Sequence, residues 1–230
     1  MRNEPGFKPP PYPYDRLDEL KPLADHHEGG IVDCSIGTPI DPPPDQVIKA
    51  LASSGMERSY PPSIGTPAFR ENVAAWAFRS FGCEIDPDSQ IAAAVGTKEF
   101  VAGLPQWMKL RNPNRDTVLY PAVSYPSYEM GATLAGCRSV AVPVDENWSI
   151  QLDEVSEEDR SRALLLWVNT PGNPAGGLDD LDAVAAWGRR HGIPVFSDEC
   201  YCEFTWEGPP RTILSSGTEG VVSVHSLSKR

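Results

Sequence analysis

From residue 91 onward, short apolar runs alternate with longer stretches of helical period. Residues 91–95, 117–120, 139–144, 163–168, 193–196 and 221–224 read as strands. The run Ala163-Leu-Leu-Leu-Trp-Val168 is apolar throughout, as a central parallel strand buried on both faces requires. Between the strands, residues 97–109, 126–135 and 178–190 read as helices. The last carries Leu181, Val184, Ala185 and Gly188 on its inner face and stops at Gly192. Upstream, helices are expected over 15–26 and 45–51, and a strand over 31–36. A further helix should be capped by Thr66 with Pro67 in its first turn, and Phe69, Val73, Trp76, Ala77 and Phe81 form its apolar stripe. Strands alternating with helices predict an α/β fold: an open, mostly parallel sheet with helices on both faces.

Composition narrows the function classes. A formal net charge of −12, with lysine and arginine scattered, argues against nucleic acid or an anionic membrane as the main partner. The five cysteines include no CxxC pair. Cys200 and Cys202 would share one face of a strand, but no second ligand pair accompanies them, so reduced buried thiols are the better reading and no metal is expected. The first residues hold no apolar leader, and no run reaches membrane-spanning length. These features together predict a cytoplasmic protein. The segment from Phe7 to Tyr14, rich in proline and aromatics, reads as a stiff extended arm.

In open parallel sheets, ligands bind beyond the carboxyl ends of the strands. There the sequence places Gly96, Thr97 and Lys98, then Tyr125, then Asn169 and Asn173, then Asp198 and Tyr201, and last Ser226 and Lys229. Each alone is equally an ordinary loop or core residue. Together they suit one kind of ligand. Gly96-Thr97-Lys98 opens a helix whose N–H groups favour a phosphate. Tyr125 can stack on a ring, and the Asn173 amide can donate to an oxygen. A carboxylate at Asp198 can keep a ring nitrogen protonated, Tyr201 can donate to a phenolic oxygen, and Lys229 can attack an aldehyde. These are the requirements of pyridoxal 5'-phosphate.

The motifs Ile36-Gly-Thr-Pro-Ile-Asp-Pro-Pro, Tyr60-Pro-Pro-Ser-Ile-Gly, Gly96-Thr-Lys-Glu, Tyr125-Pro-Ser-Tyr, Asn169-Thr-Pro-Gly-Asn-Pro-Ala-Gly, Ser197-Asp-Glu-Cys-Tyr and His225-Ser-Leu-Ser-Lys occur in this order along nearly the whole chain. In this the chain resembles the fold-type I class I/II aminotransferases. Its proline-rich arm, Tyr-Pro-Pro-Ser-Ile-Gly-Thr and Ser-Asp-Glu-Cys-Tyr further resemble the actinobacterial succinyldiaminopimelate aminotransferases of lysine and cell-wall synthesis.

The resemblance implies roles. Lys229 would be the Schiff-base lysine and proton shuttle, and Asp198 the pyridinium partner. Tyr201 and Asn173 would meet the phenolic oxygen. Thr97, Lys98 and Ser226 would hold the phosphate, and Tyr125 would stack on the ring. Gly37 would line the substrate carboxylate region. Tyr60 would reach the phosphate of a second subunit, which implies a homodimer. Residues 1–45 would form the arm and part of a small domain, and residues 46–230 the cofactor-binding large domain. Family members continue well past the lysine. The resemblance therefore implies an N-terminal portion that lacks a final strand and the substrate-carboxylate arginine, and that does not turn over alone. A lyase of the same fold and a non-catalytic remnant are the alternatives. A nicotinamide dehydrogenase is disfavoured, because no GxGxxG follows any strand.

Overall fold

A computed structural model gives the fold and describes residues 7, 12–35, 37, 41–53, 60–206 and 208–229. The chain divides into two units, Met1–Tyr60 and Pro61–Arg230. The boundary expected after residue 45 lies inside the first unit. Residues 8–11 of the arm, residues 36 and 38–40 of the first motif, and Arg230 fall outside the described residues.

In the first unit, the helix expected over 15–26 is two short pieces, a 3-10 turn at Pro13–Leu17 and α1 at Lys21–Ala24. Pro22 explains the restart, since a proline without an N–H fits only a first helical turn. Helix α2 (Asp45–Ala52) forms where expected. The strand expected over 31–36 is absent from its described residues, 31–35. Val32 is exposed, and the Asp33 carboxylate takes both the N–H and the hydroxyl of Ser35. That local bonding competes with a ladder.

The second unit is built on five parallel strands: β1 (Thr117–Pro121), β2 (Arg138–Val142), β3 (Ala163–Asn169), β4 (Val195–Asp198) and β5 (Val221–Val224). Their order is β2-β1-β3-β4-β5. β3 is buried at every position. On one face, Leu165 and Trp167 pack with Val101 and Leu104 of α4 (Thr97–Arg111) and Tyr128 and Ala132 of α5 (Ser127–Leu134). On the other, Leu166 and Val168 pack with Leu181, Val184 and Trp187 of α7 (Leu181–His191). Strand alternation divides one continuous apolar run between two cores.

The helix ends explain themselves. Thr66 caps α3 (Pro67–Phe81) by accepting from the Phe69 N–H at 3.2 Å. The Asp180 carboxylate accepts from the Asp182 and Ala183 N–H groups, so α7 begins at Leu181 and not at the expected 178. Helix α6 (Glu157–Arg162) was not expected, having no apolar stripe. Its signal is the cap: Ser156 accepts from the Asp159 N–H, with acidic residues in the first turn and arginines in the last.

Residues 91–95, expected as the first strand, form no strand and end in a bend at Val95. Their backbone bonds Ile64 through the Ala93 N–H, and Val95 is exposed. A strand is defined by its partner, and here the apolar pattern lacks one.

Candidate active site

The strand order reverses between β1 and β3, where an open parallel sheet leaves a crevice at its carboxyl edge. Asn169 and Asp198 end β3 and β4 at that edge, and Tyr125 and Lys229 lie in the segments that follow β1 and β5. Asp198 closes β4 and is buried. Its Oδ2 accepts from the Tyr128 hydroxyl at 2.8 Å and its Oδ1 from the Cys200 N–H at 3.2 Å. Tyr128 is fully buried and stacked on Trp167. Burial, and then the neighbouring Asp198 carboxylate, hold its phenol well above the ordinary range, so it stays a donor.

Asn169 ends β3 and serves two neighbours. Its amide donates to the Asp198 carbonyl at 2.8 Å, and its Oδ1 accepts from the Asn173 N–H at 2.7 Å. This fixes the turn-rich loop, in which the Thr170–Pro171 and Asn173–Pro174 bonds are cis. The loop brings the Asn173 amide 3.3 Å from the Tyr201 hydroxyl. Burial raises the Tyr201 pKa, and neighbouring Cys200, Asp198 and Tyr125 add to it. Tyr201 therefore remains a phenol, accepting from Asn173 and able to donate onward.

Helix α4 begins at Thr97 behind Gly96, which provides no side-chain cap. The N–H groups of its first turn are therefore open to an anion. The Lys98 ammonium lies 5.7 Å from the centre of the Tyr125 ring. Ser226 follows β5, its hydroxyl 2.7 Å from that of Ser228, and Lys229 Nζ donates to Ser228 Oγ at 3.1 Å.

Cys200 joins these pieces. Burial pushes its thiol far up, and the Asp198 carboxylate adds to this. A hydrogen bond with Thr97 and the charge of Lys229 pull the other way. Cys200 is therefore a neutral thiol and a poor nucleophile. Cys200 and Cys202 do not share a strand face, as the sequence suggested. Cys200 lies in the turn after β4 and Cys202 in a 3-10 turn, its sulfur 3.9 Å from His225 Nδ1.

Tyr125, Asn173, Asp198, Tyr201, Thr97 and Lys229 are thus brought into one neighbourhood. Gly37 and Tyr60 belong to the first unit, where both are exposed, Tyr60 completely. Sequence reasoning missed Tyr128, although it stands in the quoted Tyr-Pro-Ser-Tyr. It also gave Cys200 no part in the site, and it placed Asn169 at the strand end without a role.

The donor set fits pyridoxal phosphate. It offers an uncapped helix start for a phosphate, a buried carboxylate, an amide and phenol side by side, and a primary amine.

Comparison with known proteins agrees. Residues 30–230 match the family model described as aminotransferase class I and II. The chain is 38% identical to the 4-dedimethylamino-4-oxo-anhydrotetracycline transaminase OxyQ of Streptomyces rimosus, over 96% of this chain and 60% of that protein. It is 32% identical to the LL-diaminopimelate aminotransferase of Aquifex aeolicus, over 96% of this chain and 59% of that one. The solved structure of a probable N-succinyldiaminopimelate aminotransferase from Thermus thermophilus superposes with a TM-score of 0.81 at 30% identity, covering 94% of this chain and 60% of that one. The chain spans about 60% of the length of the relatives it matches. With a family model covering most of its length and the same chemistry gathered at its strand ends, the chain belongs to the class I and II aminotransferases, a pyridoxal-phosphate-dependent family.

Proposed function

We propose that the protein exchanges an amino group between an amino acid and a 2-oxo acid, and that its substrate is succinyldiaminopimelate in lysine and diaminopimelate biosynthesis. The observation that carries the reaction class is the Asp198 cluster: a buried carboxylate held by Tyr128 and by the Cys200 N–H, in a unit that also pairs Asn173 with Tyr201. The substrate rests on the arm and the Ser-Asp-Glu-Cys-Tyr motif, and on the diaminopimelate-related names of two relatives.

Pyridoxal phosphate, when bound, supplies an electron sink for the substrate's α-carbon. The first-turn N–H groups of α4, with Thr97, Lys98 and Ser226, hold its phosphate. Tyr125 stacks on the ring. Asp198 keeps a proton on the ring nitrogen, and Tyr128 keeps Asp198 aimed there. Tyr201 and Asn173 donate to the phenolic oxygen. Lys229 would hold the aldehyde end of the cofactor and would move the proton at the substrate's α-carbon. Gly37 lines the substrate carboxylate region. Tyr60 extends to the phosphate of a second copy, so the working form is a cytoplasmic homodimer.

The protein expressed from its full reading frame tests this. Borohydride reduction with pyridoxal phosphate, followed by peptide mapping, is expected to label Lys229; label on Lys98 overturns the assignment. Mixed with N-succinyl-LL-diaminopimelate, the loaded protein is expected to lose the visible absorption of bound pyridoxal phosphate as the amine form appears. The relation to OxyQ supports a second reading, amination of a carbonyl on a tetracycline-type skeleton. Turnover of 4-dedimethylamino-4-oxo-anhydrotetracycline without turnover of the diaminopimelate compound would establish it.

A further inference from the structure

Glu199 follows Asp198 in sequence, and His225 precedes Ser226. Each is one residue from the site, and each turns its side chain elsewhere. Glu199 is fully buried, and its Oε1 accepts from the Ile213 N–H at 2.8 Å. Its Oε2 accepts from the Ser223 hydroxyl at 2.7 Å. Ser223 Oγ lies 2.6 Å from His225 Nε2, which is itself 3.4 Å from Glu199 Oε2. A serine has one proton to give. With that proton on Glu199, His225 must carry its own on Nε2, leaving Nδ1 toward the Cys202 thiol 3.9 Å away. The imidazole ring stands edge-on to Trp76 at 4.9 Å and is stacked with Phe81 at 6.1 Å, both from α3.

This assembly is a poor way to gain stability. Desolvation pushes the Glu199 carboxyl up from its ordinary range. Burying a carboxylate costs roughly what its polar partners return, and apolar side chains of similar volume serve stability as well. What the network does provide is direction. The Glu199 N–H continues the β4–β5 ladder by donating to the Val224 carbonyl at 2.8 Å, so the two strand ends are pinned by backbone and side chain together. The turn that follows has internal side-chain bonds, Ser226 with Ser228 and Lys229 with Ser228. Its aim is therefore set at the residue where it leaves the strand, which is His225.

We propose that Glu199 and His225 are positioning residues for Lys229: they lock the end of β5 to the end of β4, so that the lysine turn is held toward the position that Asp198 defines. The proposal rests on the reading of Lys229 as the cofactor-binding lysine. It is tested on the full-length apo-protein with two probes. Pyridoxamine phosphate has the ring and phosphate but no aldehyde, and reports the binding site alone. Pyridoxal phosphate trapped with borohydride reports the aim of Lys229. Glu199→Gln removes the charge, and His225→Phe keeps the ring between Trp76 and Phe81 without its hydrogen bonds. His225→Gln keeps a donor near the Nε2 position. In the first two, the trapping rate at Lys229 is expected to fall about 10- to 100-fold, the scale of an ångström's misplacement. Pyridoxamine phosphate affinity should shift less than about threefold, well under 1 kcal/mol. His225→Gln should recover much of the rate. Equal losses with both probes, accompanied by a lost cooperative melt, would make the network a folding element only and overturn the proposal. Unchanged trapping in His225→Phe overturns it as well. If the unsubstituted protein takes no label, the reading of Lys229 fails, and the positioning role with it.

Discussion

Asp179 and Asp198 are both acids drawn out of water, one before α7 and one after it. Asp198 has Tyr128 and the Cys200 N–H as donors. Asp179 accepts from the Ile150 N–H at 2.8 Å, and burial, with the nearby Asp145 charge, pushes its carboxyl up to about 6. Between the unfolded value of 3.8 and about 6, the folded state holds a proton that the unfolded state has released. Stability therefore falls as pH rises through that window, by an amount on the order of 3 kcal/mol. Asp179→Asn keeps an oxygen for Ile150 and cannot ionise. It is expected to melt higher than the unsubstituted protein at pH 7 and at nearly the same temperature at pH 4. A constant difference at both pH values would contradict the assignment. The positions of Asp198 and Asn173 beyond the sheet, and of Thr97 at a helix start, were legible from strand ends and motif spacing. Tyr128 and Cys200 were not, nor was the role of Asn169, because their part depends on which way a side chain turns after the chain has folded.

At the scale of elements, strands were legible where continuous apolar runs find neighbours on both sides, as β3 does. The pattern at 91–95 is equally apolar and failed, since pairing is a property of two segments and the sequence shows one. Helix α6 failed for the opposite reason, being polar throughout and held by its cap. The contact between α4 and α5 could not have been read at all. It depends on Gly131, where an added Cβ would lie 2.9 Å from the Val101 carbonyl oxygen and 3.0 Å from that of Ala102. Backbone atoms cannot step aside as side chains do. Gly131→Val is expected to cost about 1–3 kcal/mol, lowering the melting temperature by several degrees in a scanning calorimeter. Since α5 carries Tyr128, the same variant should also hold pyridoxal phosphate less tightly. An unchanged melt would mean that the two helices separate more easily than their packing indicates.

For the molecule as a whole, the second unit carries the sheet and every candidate residue except Gly37 and Tyr60. Its most protected part should be β3, which has paired neighbours on both edges and no exposed position. Hydrogen exchange followed by mass spectrometry is expected to find residues 164–168 the slowest in the chain, well behind β2, whose first positions are exposed. Exchange of β3 as early as β2 would show that the sheet opens from its middle. The general architecture was legible because it follows from alternation alone, whereas the boundary between the units left no mark in composition.

All five strands point the same way, and this gives the second unit two unlike ends. The chemistry gathers where the strands finish. The connections into the strands lie at the other end, and one of them, Asn112-Pro113-Asn114 before β1, is exposed along its length. Added length at such a point need not disturb the pairing beyond it. A tether for a solid support, or a fluorescent reporter, placed at Asn114 would leave the crevice facing outward and free to exchange small molecules with the medium.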